Sequence, residues 1–167
     1  MTTDRSMAGY LQPYPKAPDG SPLCRWCRGP VQKPRLTFCS DDCVREFTIR
    51  TSPSAARRYV EERDHGVCAL CGLDTEALRN KLQRLSGEDQ AALWRRHFGG
   101  LKRRWHLWEA DHIRPVVEGG GQAGLDNYRT LCLRCHHGET AKLAHRRALA
   151  RKRQTVLGGA SGGAPHA

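Results

Sequence analysis

This 167-residue chain has no apolar run long enough to span a bilayer, and no hydrophobic core of the secretory type follows Met1. These absences set the expectation of an intracellular protein, cytoplasmic or nucleoid-associated. Apolar residues are scarce as well, at 38% with aromatics at 7%, which is thin for a chain that relies on one large apolar core. Acidic residues are outnumbered, 17 against 28 Lys and Arg, for a formal charge of +11. Unpaired cysteines are missing too. All eight fall into close pairs, Cys24/Cys27, Cys39/Cys43, Cys68/Cys71 and Cys132/Cys135. The length admits one ordinary domain or two small ones.

In a reducing compartment such pairs read as zinc knuckles, with disulfides or redox pairs as the alternative. Two structural Zn2+ sites would use every thiol, one at Cys24, Cys27, Cys39 and Cys43 and one at Cys68, Cys71, Cys132 and Cys135. The basic excess favours a polyanion through phosphate contacts and counterion release. The plainer alternative is a soluble basic surface. A membrane surface fits less well, because no basic helix carries Trp or Phe on an apolar face. Oligomeric state is not legible.

Along the chain, residues 1–20 hold Pro13, Pro15, Pro18 and Gly20 and read as a flexible leader, and 154–167 as a disordered tail. Residues 21–51 form the first cysteine unit, spaced C-x2-C-x11-C-x3-C. Val31–Phe38 suits a short hairpin, and Ser40 caps a helix over Asp41–Ile49. This arrangement resembles a treble-clef zinc finger. A second unit covers 52–153. Ser52-Pro53 starts a helix that packs Ala55, Ala56, Tyr59 and Val60 inward and stops at Gly66. A helical insertion over about 74–100 carries the stripe Leu78, Leu82, Leu85, with a second helix beginning at Ser86.

The next stretch carries the chemistry. Leu101–Ile113 suits a first strand, with Trp105 and Leu107 on one face and His106 and Trp108 on the other. Gly119-Gly120-Gly121 suit the connection, Tyr128–Leu131 a returning strand, and His136–Arg151 a helix. A hairpin and helix with a metal between them is a ββα-metal core, stapled here by the second cysteine set. The fold class expected is a small, zinc-stabilised α+β protein: this core, preceded by the finger and the helical insertion. An Asp-His pair, Asp111-His112, ends the first strand, and Asn127 precedes Cys132-x-x-Cys135-His136. A histidine that titrates near neutrality can take a proton from water, and a carboxylate with a second imidazole can hold a divalent cation on a phosphate.

The ordered set Asp111-His112, Asn127 and Cys132-x-x-Cys135-His136, extended back through Glu62–Gly72 (ERDHGVCALCG), resembles the HNH endonucleases over roughly residues 53–150. The resemblance implies His112 as general base, Asp111 and His136 as ligands of a catalytic divalent metal (Mg2+ or Mn2+), and Asn127 either orienting the base or ligating the metal. The expected activity is hydrolysis of DNA phosphodiester bonds. Two alternatives stand beside it, an inactive zinc-stapled nucleic-acid-binding module and an RNA nuclease. Lys142, Arg146, Arg147 and Arg151 are the expected DNA contacts. The chain departs from a common family form at Glu139, where a Lys often precedes the closing Thr, and at Thr140, where some members place a further His. Plainer roles compete at each position. Asp111 suits a strand end, His112 a surface imidazole, Asn127 a turn, His136 a zinc ligand, and His137 and His145 an exposed helix face. Glu109 is a minor metal candidate, and Trp105 and Trp108 suit the core.

Overall fold

The computed structural model describes residues 14–158. The first thirteen and last nine positions, which hold most of the expected leader and tail, lie outside the described residues. Residues 16–22 fold back on themselves through a Lys16–Pro22 bridge. Among the described residues no helix is long and apolar enough to cross a membrane.

The first cysteine unit is made of tight turns. Cys24 N–H donates to Gly29 O at 2.8 Å and Arg28 N–H returns to Cys24 O at 3.0 Å. Val31–Phe38 is not a hairpin: turns replace it, and the bridge runs instead from Leu23 to Pro30. Pro30 and Pro34 have no N–H to give a ladder, which disfavours pairing across this segment. Ser40 caps helix α1 (Asp41–Thr51) by accepting from Cys43 N–H at 3.2 Å, with Asp41 and Asp42 on the positive end of the helix. Cys24, Val31 and Cys43 form a small core that Phe38 covers.

Ser52 caps α2 (Pro53–Asp64), with Pro53 in its first turn, and His65 ends it in the left-handed region at φ 51°. Ala56 and Val60 are buried on the face that packs against the hairpin. At the end of α2 the Asp64 carboxylate accepts both the N–H and the hydroxyl of fully buried Thr130, each at 3.0 Å. Arg63 and those two donors hold the Asp64 carboxyl below the usual carboxylate range, against burial.

The insertion is a wall of the main core. Helices α3 (Thr75–Gln83) and α4 (Gly87–Phe98) bring Leu78, Leu82, Trp94 and Phe98 against Leu107, Leu131 and Leu133. Strand β1 (Trp108–His112) pairs antiparallel with β2 (Tyr128–Cys132), and α5 runs over Leu133–Gly158. The first strand is therefore much shorter than the sequence suggests. β2 is five residues long, so its ladder ends at the Trp108–Cys132 pair and leaves Leu101–Leu107 without a partner strand. Trp108 and Leu107 are both buried while Trp105 is 80% exposed, so the expected division of faces fails at this segment and Trp105 is not a core residue. α5 also continues past the expected end at Arg151 and into the segment read as tail.

Candidate active site

Each cysteine set closes in space. The four Sγ atoms of Cys24, Cys27, Cys39 and Cys43 lie within 4.8 Å of one another, and so do those of Cys68, Cys71, Cys132 and Cys135. Individual separations of 3.4 Å, 3.5 Å and 3.8 Å approach the edge of a tetrahedron with metal–sulfur bonds of about 2.3 Å. Burial pushes the Cys24 thiol up, but the backbone N–H groups of Cys39, Cys27 and Trp26 outweigh it and bring the thiol down to about 6. Cys68 is brought down to about 7 against burial in the same way, by Cys132, Cys71 and Leu70. Hydrogen bonds from Cys43 and Cys27 drive Cys39 up to about 12, and burial drives Cys132 up to about 11. Each set thus brings at least one thiol whose thiolate is favoured together with at least one whose thiolate is disfavoured, a crowding of sulfur that a shared cation would relieve. The residues fit zinc.

The second set lies across the base of the hairpin. Cys68 and Cys71 come from the turn after α2, Cys132 from the end of β2 and Cys135 from the first turn of α5. Ala69 N–H donates to Thr130 O at 2.8 Å and so ties that turn to β2. The strand that delivers Cys132 also delivers Arg129 opposite Asp111 and Tyr128 opposite His112.

Asp111, His112 and His136 line one cleft of about 250 Å³, together with Arg129, Glu139 and Arg146. The His112 ring packs on Tyr128 with centroids 4.2 Å apart. Burial lowers the His112 imidazole below its ordinary value, while the charge of Asp111 works the other way. The neutral, proton-accepting form therefore dominates at neutral pH. Asp111 Oδ1 and His136 Nε2 are 4.0 Å apart, room for one divalent ion on bonds of about 2.1 Å to each. A carboxylate and an imidazole are donors that suit such an ion.

Arg129 is a site residue that sequence motifs do not single out. Its Nε donates to Asp111 Oδ2 at 3.0 Å and its Nη2 to Glu139 Oε2 at 3.1 Å. Glu139 also takes Lys142 Nζ at 2.8 Å, and that bond leads in holding its carboxyl below the usual range. The acid at the unusual family position is thus matched by two cations. Only the hairpin register, which pairs Asp111 with Arg129, could have revealed this link.

Asn127 does not face the cleft. Its Oδ1 accepts Arg114 N–H at 2.8 Å, and its Nδ2 donates to Arg114 O at 3.0 Å and Gly120 O at 2.9 Å. It clasps the connection that starts just after His112, and Ile113 N–H donates to Asn127 O at 2.8 Å. Of the three consecutive glycines only Gly119 has a positive φ, 87°. Gly120 is needed for space, since a Cβ there would run into the Arg114 carbonyl oxygen and lie 2.8 Å from Asn127 Nδ2. Arginines from the preceding helices fasten the same connection. Arg50 Nε donates to Gln122 O at 2.9 Å, and Arg63 donates to Leu125 O at 3.0 Å and Tyr128 O at 2.7 Å. Asn127→Ala removes three hydrogen bonds from this clasp. We expect a loss of about 2 kcal/mol and a fall in Tm of roughly 4–8 °C, measured by thermal unfolding, with Gly120→Ala at least as damaging.

Of the other residues that the sequence offers as candidates, Arg146 lines the cleft and Glu109, His137, His145, Lys142, Arg147 and Arg151 do not. Glu109 is away from the cleft, held by Arg57 at 3.1 Å, Arg104 at 3.0 Å and His106 at 3.0 Å. His137 and His145 are exposed on α5. Arg146 reaches Glu118 at 3.6 Å, and Arg147 and Arg151 are exposed along the same helix.

A family model described as HNH endonuclease matches residues 99–142. The chain is 37% identical over 165 residues to the DNA annealing helicase and endonuclease ZRANB3 of Mus musculus, an alignment covering 86% of this chain and 15% of that protein. Identity to the Bos taurus protein of the same name is 35% over 172 residues, with the same coverage. The chain therefore spans about 15% of the length of the curated relatives it matches. The crystal structure of the human ZRANB3 HNH domain is similar at 33% identity and a TM-score of 0.49, covering 59% of this chain and 95% of that one. With the motif residues seated around a hairpin and helix and with this degree of likeness along the sequence, the chain belongs to the HNH endonuclease family.

Proposed function

We propose that this protein is a metal-dependent HNH endonuclease that hydrolyses DNA phosphodiester bonds inside the cell. The observation that carries this reading is the convergence of Asp111, His112 and His136 on one cleft that Arg129 and Arg146 also line. His112, neutral at working pH, takes a proton from the attacking water. Asp111 and His136 are the residues that would hold Mg2+ or Mn2+, which when bound supplies charge stabilisation at the scissile phosphate and the leaving oxygen. Arg129 keeps Asp111 turned toward the cleft through the bond to Oδ2 and leaves Oδ1 on the His136 side. Asn127 acts as a positioning residue, since its amide fixes the backbone that follows His112. One zinc ion at each cysteine set is structural.

DNA is favoured over RNA because the mouse and bovine relatives are named for action on DNA. α5 supplies the phosphate contacts through Lys142, Arg146, Arg147 and Arg151. Affinity for duplex DNA is expected to fall steeply as salt rises, and Arg146→Ala and Arg147→Ala should each flatten the log–log salt slope by about one. Titrations by fluorescence anisotropy at several salt concentrations check this, and an affinity indifferent to salt contradicts a phosphate-dominated surface. Incubation of purified protein with Mn2+ and matched DNA and RNA strands tests the function. DNA cleavage supports it, RNA cleavage alone supports the RNA nuclease, and binding without cleavage supports the inactive module.

A further inference from the structure

Leu101–Leu107, the segment between α4 and β1 that lacks a partner strand, carries Lys102, Arg103, Arg104 and Trp105 in succession, all exposed. Trp105 is 80% exposed, whereas Trp94 and Trp108 are only 6% and 2% exposed. An indole so open adds little to the apolar core. The segment is nonetheless held in place. Trp94 Nε1 donates to Leu101 O at 2.8 Å, Arg103 donates to Gln90 at 2.7 Å and Arg104 to Glu109 at 3.0 Å. His106, bonded to Glu109 at 3.0 Å, sets its ring edge-on against Trp105 at 4.9 Å. One side of the indole is thus braced while most of its surface stays open.

The position of this segment links it to the catalytic cleft. A second cleft of about 340 Å³ is lined by Lys102 and Arg104 together with His136 and Thr140, which also line the catalytic cleft. A third, of about 260 Å³, is lined by Arg104, Arg103, Trp94 and Trp105. Shared residues therefore connect all three clefts, and cations accompany the whole path: Arg129 and Arg146 in the first, Lys102 and Arg104 in the second, Arg103 and Arg104 in the third. Such a path suits a phosphate backbone. Trp105 adds a condition that a paired duplex does not meet, because an indole stacks on a base only when that base has a free face.

We propose that Trp105 is a stacking platform for an unpaired base, with Lys102, Arg103 and Arg104 holding the adjoining phosphates, so that the substrate of this nuclease includes a single-stranded segment beside the scissile bond. This rests on the nuclease reading for its biological meaning, but its test is independent of cleavage. Anisotropy titrations of the full chain, without added divalent cation, would use a fluorescein-labelled oligo(dT) and a duplex of equal length. Trp105→Ala should weaken oligo(dT) binding about tenfold and duplex binding by less than about twofold, while Trp105→Phe, which keeps an aromatic face, stays close to the parent. Equal binding of oligo(dT) by the alanine variant and the parent overturns the proposal and leaves Trp105 open to a protein partner. Equal losses on both probes also overturn it, because the residue then serves general affinity. A parent that binds oligo(dT) in this Trp105-dependent way but cuts nothing would sink the nuclease reading alone.

Discussion

A Cys132→Ser variant is expected to lose the folded hairpin core, whereas Cys39→Ser should lose one zinc ion and loosen only the N-terminal finger. Cys132 is 1% exposed, ends β2, and belongs to the main apolar cluster with Leu107, Leu131 and Leu133. Its metal partners come from both sides of the insertion, so one ion would close the turn after α2, the second strand and the last helix together. Cys39 covers a separate small cluster with Cys24, Val31 and Cys43. Structural zinc is worth roughly 10–16 kcal/mol in finger peptides near neutral pH, as much as the whole stability of a typical domain at about 5–15 kcal/mol. Zinc analysis of protein purified without added metal should give two equivalents for the parent. Far-UV circular dichroism and thermal melts of the two variants then separate global from local loss. A parent that is fully folded and free of zinc contradicts the assignment.

His112→Ala is expected to lower cleavage by about 10²–10⁴-fold, with zinc content, thermal stability and DNA affinity close to the parent. The imidazole is half-buried against Tyr128, and its role is to accept a proton, not to hold the duplex. The pH dependence has a definite sign. Burial lowers the His112 value, so acid must be stronger than usual to protonate it. Cleavage by the parent should therefore rise with pH and reach half its plateau below the ordinary imidazole value of about 6.5. Asp111→Ala and His136→Ala should behave differently, since they remove donors to the divalent ion. Their loss should be partly recovered by excess Mn2+, and His112→Ala should not recover. A half-plateau well above the ordinary imidazole value would mean that another group limits the rate.

Short-range chemistry makes much of this site legible. Cysteine pairs three or four positions apart specify a knuckle without knowledge of the rest of the chain, and Asp111-His112 with Cys132-x-x-Cys135-His136 specify the local chemistry. Helix starts at Ser40 and Ser52 are legible for the same reason, because a side-chain cap is a local arrangement of the chain, whereas Ser86 precedes α4 without a side-chain cap bond. What stays hidden depends on register or on distant partners. Arg129 matters only because it faces Asp111 across the hairpin, and Asp64 only because it reaches Thr130, 66 positions away. The amide of Asn127 points into the connection, which the motif alone does not reveal. Strand length is misjudged for a related reason. Leu101–Leu107 alternates well enough to be a strand, yet β2 is too short to pair with it, and Trp105 is left in solvent. The insertion, which looks detachable in sequence, supplies Leu78, Leu82, Trp94 and Phe98 to the core because the hairpin and one helix have too little apolar surface of their own.

Conversion of supercoiled plasmid by the purified parent, with Mg2+ or Mn2+ and without any divalent cation, tests the central claim most directly when His112→Ala is run beside it. Nicked or linear product is expected from the parent only with the metal, and almost none from His112→Ala at equal DNA binding. A parent that binds the plasmid but leaves it intact with every divalent metal tried, or a His112→Ala protein that cuts as fast as the parent, would contradict the HNH mechanism.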